Sequence, residues 1–439
     1  MMFQTCGGAW VKLGQMLALR ADIVSVPLAF ELLNLLENLP AVYIPGFDDR
    51  PIAVASFAQV YRTQLPDGTD VIMKVQKPGI AELVATDLKI MKFLARMVDV
   101  FTPLHILSAQ EIVQEFAAWT ERELDYELEA QNTEFFRTKN TLPWVKIPKI
   151  ISLHTTKHAL MEEYMPGVSM AQFVQGPAHL YAGEIARNLI ETSVYQYFIM
   201  GRFHADPHPG NIIIDEIGAL QYVDFGMIGE TGRPHCIAMA NFIYHTMHDN
   251  YEEAITAFLK LGFSKRTTTD MRYFLADEKF LNQFRKGLGI MESMLVKQFI
   301  RILQPWKSAV EDPAASFFEK SVANAFLKFL NIARTYHIRV DSEIALFVKT
   351  LIAVDATSLQ IDPNFNLVAT MKDIFAKQEY AWLFSPEAAE ELIPARSEIP
   401  FAEVRDQARM RSLKEYYSDW FAEVQDRHWR EFKTLTQTP

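Results

Sequence analysis

Apolar side chains recur at helical spacing over two long regions of the chain. Residues 9–39 carry leucine and other apolar residues every three or four positions, with Pro27 between two such segments and Pro40 after the second. The same spacing returns from about residue 234 to 430. Loops in this second region are expected near four prolines, Pro305, Pro313, Pro363 and Pro386. The pattern therefore predicts a helical start and a large helical second half.

Between these regions, several short segments are typical of β-structure. IAVASFAQVYRTQL and DVIMKVQ flank the turn PDG, which predicts a hairpin within residues 52–76. VKIPKIISL and HALMEEYM predict two more strands, and NIIID with LQYVDF predicts a second hairpin. Helical spacing occupies residues 80–139 and 169–202. We therefore expect an α+β protein with a small β-rich lobe that contains extra helices, followed by a large helical lobe.

Composition narrows the class of protein. The formal charge is −11 and long Lys/Arg runs are absent, so nucleic acid is not an expected partner. Two cysteines, Cys6 and Cys236, favour a reducing compartment over a disulfide framework. Apolar runs stay below the roughly 18 residues that span a membrane, and no signal-peptide pattern opens the sequence. We expect a cytoplasmic protein, with peripheral contact to a membrane left open.

The first candidate for chemistry is Lys74, which lies inside the apolar strand VIMKVQ. A lysine within a half-buried strand needs an anionic partner, because an unpaired buried ammonium is costly. The alternative is an edge lysine whose ammonium points to solvent. The strand alone does not decide between the two.

A second candidate is the loop FHADPHPGN with the VDFG that follows it. Asp206 and Asn211 are separated by four residues, and Asp224 opens an Asp-Phe-Gly after a predicted hairpin. This order is the kinase catalytic-loop signature, in which Asp206 serves the incoming nucleophile, Asn211 and Asp224 bind Mg²⁺, and Lys74 holds the phosphates. The chain enters a helix soon after this motif, without a long Ser/Thr-bearing segment. That favours an ATPase or small-molecule kinase over a switched peptide kinase.

The two histidines of the loop allow a competing interpretation. His204 and His208 are four residues apart, as in a helical zinc pair. Pro207 and Pro209 disfavour a helix there, so the required geometry is not expected. We predict that His204 packs and hydrogen-bonds within the loop, and leave His208 open as a contact to substrate or phosphate.

An acidic helix is predicted through ERELDYELEA. Glu121, Asp125 and Glu129 recur every four residues and would share one face of that helix. Three like charges repel one another unless cations approach, and Lys74 and Lys12 are the candidates. The alternative is a solvated acidic face.

Together these motifs resemble the ABC1/UbiB (AarF/ADCK) family of atypical, protein-kinase-like proteins, over about residues 9–235. VKLGQ is similar to the family's KxGQ motif, with Lys12, Gly14 and Gln15. AVASFA is similar to the alanine-rich loop that replaces the glycine-rich loop of kinases, with Ala53, Val54, Ala55, Ser56, Phe57 and Ala58. ERELD is similar to the ExD motif, with Glu123 and Asp125.

The resemblance assigns further roles. It implies that Glu129 pairs with Lys74, that the alanine-rich loop contacts the nucleotide, and that the backbone near Glu163 and Met165 contacts its base. It places Glu162 where a bulky apolar residue often guards the adenine pocket. In the family, the KxGQ helix lies across the cleft as a regulatory element held by the ExD carboxylates.

The function expected from this resemblance is a Mg-ATP-dependent atypical kinase or ATPase of the UbiB type. It would support ubiquinone or isoprenoid-lipid metabolism, with ATP and Mg²⁺ as cofactors and an isoprenoid lipid or quinone precursor as partner. One alternative is a catalytically silent ATP-binding scaffold for lipids or proteins. A small-molecule phosphotransferase of the aminoglycoside or choline kinase type shares the loop, but would not account for VKLGQ or ERELD.

Four segments are predicted along the chain. Their bounds are residues 1–48 for the KxGQ helical extension, 49–165 for the kinase-like N-lobe with inserted helices, 166–330 for the kinase-like C-lobe and 331–439 for a C-terminal helical extension.

Overall fold

The computed structural model describes most of the chain between residues 50 and 392. The described residues are 9–10, 12–14, 50–55, 57–101, 109–176, 181–262, 278–335 and 342–392. Residues 9–10 and 12–14 are helical, as predicted, whereas most of the predicted helical segment 9–39 lies outside the described residues. Gln15 and Ser56 lie outside them as well.

Short strands within the described residues form three small sheets. Their bounds are β1 (Ala53–Val54), β2 (Ala58–Gln64), β3 (Asp70–Gln76), β4 (Val145–Lys146), β5 (Ala159–Glu163), β6 (Val168–Ser169), β7 (Arg202–His204), β8 (Ile212–Ile214), β9 (Leu220–Tyr222) and β10 (Ile228–Glu230). The strand orders are β1-β2-β3-β5, β4-β9-β8-β6 and β10-β7. Both predicted hairpins, β2-β3 and β8-β9, are present and antiparallel.

Helices make up most of the remaining described chain. They are α1 (Ile80–Phe101), α2 (Ala109–Glu123), α3 (Tyr126–Lys139), α4 (Met170–Gln175), α5 (Ala182–Tyr195), α6 (Arg233–Met247), α7 (Tyr251–Gly262), α8 (Glu278–Glu311), α9 (Phe317–Lys320), α10 (Val322–Thr335), α11 (Ser342–Ile361), α12 (Leu367–Phe375) and α13 (Pro386–Leu392). The predicted α+β class is therefore confirmed.

The position of β3 in its sheet decides between the two interpretations of Lys74. This strand pairs with β2 on one side and with β5 on the other, so it is central in its sheet. An edge position for Lys74 is therefore excluded. The tight turn that leads into β3 depends on Gly68, whose φ of 87° is readily adopted only by glycine.

The predicted strand VKIPKIISL is mostly wrong. Only Val145–Lys146 belongs to a strand, and Ile150 makes a single bridge to Glu162. Pro148 lies between them and has no N–H to donate to a ladder. The segment then turns into a short 3-10 helix at Ser152–His154.

The continuous acidic helix predicted through ERELDYELEA is also wrong. The helix α2 ends at Glu123, and α3 begins at Tyr126. Asp125 lies at the break with an extended backbone, and its carboxylate accepts the N–H of Leu128 at 3.2 Å as an N-cap. Because the helix restarts there, Glu121, Asp125 and Glu129 do not share one helical face. The local cap preference of Asp outweighs the four-residue spacing.

The chain divides into two compact units. The first contains Met1–Glu230 and Ala345–Phe365, and the second contains Thr231–Ile344 and Asn366–Pro439. In the second unit, Phe329 of α10 contacts the rings of Phe242, Phe258 and Phe299. The finer division into four segments stays a prediction.

A loop at Pro305 is the third wrong prediction, because α8 continues through that residue. A proline inside a helix loses one hydrogen bond and costs about 3 kcal/mol. Leu303 and Trp306 on either side are 6% and 4% exposed, and the Trp306 indole donates to the Lys320 carbonyl at 2.8 Å. Burial of these neighbours offsets the lost hydrogen bond.

One helix in the described part of the chain is long and apolar enough to cross a membrane. Its apolar window, Glu343–Ile361, is 67% buried within the structure. In the first unit, Phe347 of this helix stacks on Tyr197 at 3.7 Å between ring centroids, and the Ser358 hydroxyl donates to the Ala186 carbonyl. These contacts are those of a core helix.

Replacement of Asp125 tests the cap that starts α3. Asp125→Ala should lower the free energy of unfolding by about 1 kcal/mol, because the Leu128 N–H loses its acceptor. Asp125→Asn keeps an amide oxygen in the same place and should have little effect. Urea denaturation of both variants measures the difference, and equal destabilisation by the two would contradict the cap.

Candidate functional site

The centre of the candidate site is an ion cluster around Lys74. Its ammonium lies 2.8 and 3.0 Å from the two carboxylate oxygens of Glu129 and 2.9 Å from Oδ2 of Asp224. These groups come from the central strand β3, the first turn of α3, and the segment after β9. The side chains of Lys74 and Glu129 are only 14% and 3% exposed. Residues 150 positions apart in sequence are thus joined at one point.

Burial and charge act in opposite directions on this cluster. Burial would lower the pKa of Lys74, but Asp224 and Glu129 raise it well above its ordinary value. Burial raises the pKa of Glu129, and the Lys74 ammonium opposes that rise. Burial would also raise the pKa of Asp224, but Lys74 and the Gly226 N–H hold it below its ordinary value. One ammonium faces two carboxylates, so the cluster can accept a further cation.

His204 is a structural residue of the catalytic-loop sequence. It is 1% exposed, and its Nδ1 accepts the Asp206 N–H at 3.1 Å. Its backbone carbonyl accepts the Thr350 hydroxyl, and its N–H donates to the Gln196 side chain. Burial lowers its pKa, so the ring is neutral. The prediction that His204 packs and bonds within the loop is confirmed.

The second histidine shapes the turn that carries Asn211. His208 Nδ1 accepts the Gly210 N–H at 3.1 Å, at the start of the short 3-10 turn Pro209–Asn211. Among the residues that the structure describes, no group of three His, Cys, Asp or Glu side chains could hold a metal ion. The helical zinc pair is absent because His204 ends a strand and His208 precedes a turn.

Asn211 and Asp224 are the two predicted metal ligands. The Asn211 side-chain amide nitrogen donates to the Asp206 carbonyl at 3.1 Å. This hydrogen bond fixes which end of the amide is nitrogen, so the amide oxygen points away from that carbonyl. The Asn211 carbonyl accepts the Val223 N–H, which ties the loop to the segment before Asp224. An amide oxygen and a carboxylate are hard oxygen donors of the kind that Mg²⁺ prefers. The donor set therefore fits this ion.

Asp206 has a partner that the sequence did not indicate. The Lys349 ammonium lies 2.9 Å from Asp206 Oδ1, although the two residues are far apart in sequence. Burial opposes ionisation of Asp206, but the Lys349 charge outweighs it and holds the pKa at about 2. One sequence feature could have indicated Lys349: it is the single charged residue in the apolar helical segment LFVKTLIAV. Lys74 was identified in the same way, as a single lysine inside an apolar strand.

A single ring connects the Asp-Phe-Gly segment with two other elements. Phe225 is fully buried, stacks on Phe136 of α3 at 4.9 Å, and lies 5.2 Å from the His204 ring. The Asn132 amide donates to the Phe225 carbonyl at 3.2 Å. At Gly226 a Cβ atom would approach Asp224 Oδ1 to 3.2 Å, so a side chain there would crowd the ion cluster. The cluster therefore depends on a buried ring on one side and a glycine on the other.

Two buried side chains anchor the described part of the alanine-rich loop. Phe57 is 3% exposed and belongs to one apolar cluster with Ala9 and Leu13, and Ala58 is 1% exposed. The Ala55 N–H donates to the Ala58 carbonyl at 3.0 Å, which closes the turn. Ala53 and Ala55 are exposed and Val54 is half-buried.

Only one residue of the ExD motif contacts the KxGQ motif among the described residues. The Lys12 ammonium pairs with the Glu123 carboxylate and lies 4.9 Å from the centroid of the Phe57 ring. Its charge also contributes to the low pKa of Asp206. The Asp125 carboxylate caps α3 and lies 3.9 Å from Lys157. The structure thus brings Glu123, not Asp125, to Lys12.

The end of β5 holds the residues predicted to contact the base. The Glu163 N–H already donates to the Lys149 carbonyl at 2.9 Å, and the Tyr164 N–H donates to the Asp70 carbonyl. Met165 is 8% exposed. Glu162, just before them, is also buried, and burial together with the Glu129 charge raises its pKa well above the ordinary value.

Comparison with known proteins identifies the family of this chain. The family model for the ABC1 atypical kinase-like domain matches residues 34–258, and the UbiB helical domain matches residues 314–366. The Mycobacterium tuberculosis protein Rv3197, solved with erythromycin, has a TM-score of 0.52 at 23% identity. The similarity covers 77% of this chain and 78% of that one, and at this identity it supports the predicted kinase-like fold alone.

Two curated relatives come from Arabidopsis thaliana chloroplasts. ACTIVITY OF BC1 COMPLEX KINASE 3 is 27% identical over 399 residues, which cover 86% of this chain and 52% of the relative. ACTIVITY OF BC1 COMPLEX KINASE 7 is 33% identical over 245 residues, which cover 51% of this chain and 35% of the relative. The chain thus spans about half of the first relative and a third of the second. Since the first family model alone covers just over half of the chain, the protein belongs to the ABC1 atypical kinase-like family.

Proposed function

We propose that the protein is a Mg-ATP-dependent atypical kinase or ATPase. The observation that carries this proposal is the buried Lys74 ammonium held between Glu129 and Asp224. An ammonium fixed beside a metal-binding carboxylate is the arrangement that phosphoryl transfer from ATP requires. Family membership supports the kinase-like class, and the geometry supports the finer assignment.

The proposed roles follow from the positions of the side chains. Lys74 would hold the phosphates, with Glu129 orienting it, and Asn211 and Asp224 would hold Mg²⁺. When bound, the ion would neutralise charge on the phosphate oxygens. The backbone of residues 53–58 and the strand end at Glu163 and Met165 would contact the nucleotide.

Asp206 would orient the nucleophile more than deprotonate it. A carboxylate whose pKa is held at about 2 is a weak base at neutral pH. It remains a strong hydrogen-bond acceptor, which suits it to positioning a hydroxyl or water. Lys349 would act through Asp206 as a positioning residue.

The substrate side of the proposal rests on family membership. It implies a role in ubiquinone or other isoprenoid-lipid metabolism, with a lipid or quinone precursor as partner and contact with a membrane surface. Lys12, Gln15, Glu123 and Asp125 would regulate access to the cleft, and the Lys12–Glu123 pair supports this for two of them.

A second candidate function is a nucleotide-binding scaffold without turnover. The loop at residues 53–58 favours it, because it contains no glycine and buries Phe57 and Ala58. Such a loop allows less freedom for close backbone approach to phosphates than a glycine-rich loop. The scaffold would bind ATP and change shape without transferring a phosphoryl group.

Two variants separate binding from turnover. Asp224→Asn should remove most of the thermal stabilisation by Mg-ATP, because it removes a metal-binding charge. Asp206→Asn should keep that stabilisation and lower ATP hydrolysis by about 100-fold or more, since it removes a group that acts on the nucleophile. Thermal shift and single-turnover hydrolysis of labelled ATP, with and without anionic vesicles, measure both effects.

The outcomes distinguish the two functions. Stabilisation without hydrolysis in the unmodified protein would indicate the scaffold. If Asp224→Asn leaves both stabilisation and hydrolysis unchanged, the metal assignment fails. Lys146→Met, which removes an exposed pair with Asp215, is a control that should change neither.

Loss of the central cation gives a pH-dependent prediction. Lys74→Met leaves the buried Glu129 carboxylate and the half-buried Asp224 carboxylate without their ammonium, and should cost about 3–5 kcal/mol at neutral pH. Their folded-state pKa values then lie above the unfolded values, so stability is lost as the pH rises. The gap to the unmodified protein should therefore narrow between pH 8 and pH 5.5.

Urea denaturation at the two pH values measures this gap. The double variant Lys74→Met/Glu129→Gln removes one of the carboxylates and should recover part of the loss at pH 8. A gap that is the same at both pH values would show that Lys74 acts through packing, not charge.

A further inference from the structure

Glu162 has a side-chain carboxyl group without a hydrogen-bond partner among the described residues. Glu162 is 6% exposed and lies near the end of β5, an outer strand of the β1-β2-β3-β5 sheet. Within the described residues, its carboxyl makes no hydrogen bond and no ion pair, whereas the neighbouring Glu163 carboxylate accepts the Lys149 N–H. A carboxyl group in a mostly buried residue, with no hydrogen bond inside the described protein, is expected where a ligand supplies the missing partner.

Strand register places this carboxyl on the face that carries Lys74. In the β3-β5 pair, Lys74 lies opposite Leu160, and Ile72 lies opposite Glu162. Paired residues and residues two apart along a strand point to the same face. Glu162 and Lys74 are therefore diagonal neighbours on adjacent strands, a relation in which residues are typically roughly 7–8 Å apart. Glu162 precedes Glu163, the last residue of β5, and Met165 follows two residues later.

The surroundings of Glu162 favour its neutral form. Burial is the main cause, and the negative charges of Glu129 and Asp224 add to it, while the Lys74 ammonium opposes them. Glu129 and Asp224 already share that ammonium. A neutral carboxyl has one O–H donor and one carbonyl acceptor side by side.

We propose that Glu162 is a specificity residue that recognises adenine through one donor and one acceptor on its carboxyl group. The O–H would donate to N7 of the base, and the carbonyl would accept from the 6-amino group. Adenine presents this acceptor-donor pair, whereas guanine presents two acceptors on the same edge. The inference rests on the proposed function, because it requires that ATP binds beside Lys74.

The contact can be tested on the unmodified chain with 7-deaza-ATP. This analogue keeps the 6-amino group and the phosphates but has a C–H in place of N7, so the Glu162 O–H would lose its acceptor. Calorimetry with Mg²⁺ should show binding weaker than that of ATP by roughly tenfold or more. Equal affinities for the two nucleotides would overturn the role of Glu162 and leave ATP binding intact.

Two substitutions assign the effect to this side chain. Glu162→Gln keeps a donor and an acceptor and should retain the preference for ATP over 7-deaza-ATP and over GTP. Glu162→Met removes both and should bring ATP and 7-deaza-ATP within about twofold of each other. The melting temperature of Glu162→Met should be unchanged or higher, because methionine has a similar volume and the lost carboxyl group makes no hydrogen bond inside the described protein.

The outcomes separate this inference from the proposed function. If the unmodified protein binds neither ATP nor 7-deaza-ATP, the proposed function fails and the inference fails with it. If ATP binds and Glu162→Met keeps the full preference for ATP over 7-deaza-ATP, only the inference fails. Loss of the preference in Glu162→Met with its retention in Glu162→Gln supports the two-hydrogen-bond contact.

Discussion

The interaction on which the candidate site depends is the Lys74 ammonium between the buried Glu129 carboxylate and the half-buried Asp224 carboxylate. A charge in that position is tolerated only if its partners are held within hydrogen-bond distance. Glu129 and Asp224 meet this requirement from different parts of the chain, at 2.8 and 2.9 Å. The geometry therefore constrains where α3 begins and where the chain runs after β9. Removal of Lys74 leaves two carboxylates without a cation, whereas removal of either carboxylate leaves a one-to-one ion pair.

Two neutral groups hold the frame around that cluster. The Phe225 ring packs between Phe136 and His204, so one buried contact fixes both the helix of Glu129 and the loop of Asp206. His204 is neutral and accepts the Asp206 N–H. The histidines of this loop thus shape the backbone, and the oxygen donors of the loop are the groups suited to Mg²⁺.

The ion pairs of the candidate site also differ in their roles. Lys74 is buried with Glu129, whereas Lys349 meets an Asp206 whose side chain is 45% exposed. The first pair contributes to the fold as well as to the proposed chemistry. The second leaves Asp206 accessible to a nucleophile while it keeps the carboxylate ionised.

Local sequence was enough to predict the elements whose signals are short-range. The β2-β3 and β8-β9 hairpins followed from turn residues and alternation, and the Asp-x4-Asn spacing followed from the loop itself. The same local reasoning was wrong at Asp125, where capping interrupts a helical pattern. It was also wrong at Pro305, where burial of neighbouring side chains keeps a helix intact.

Only the tertiary structure decided which charges meet. The Lys349–Asp206 pair and the diagonal position of Glu162 relative to Lys74 depend on packing and register between distant segments. No local pattern encodes such pairings, because their energies depend on how far both groups are removed from water. The sequence by itself determined the family, the two hairpins and the chemical types of the candidate site residues. The fold determined their partners, and with them their charge states.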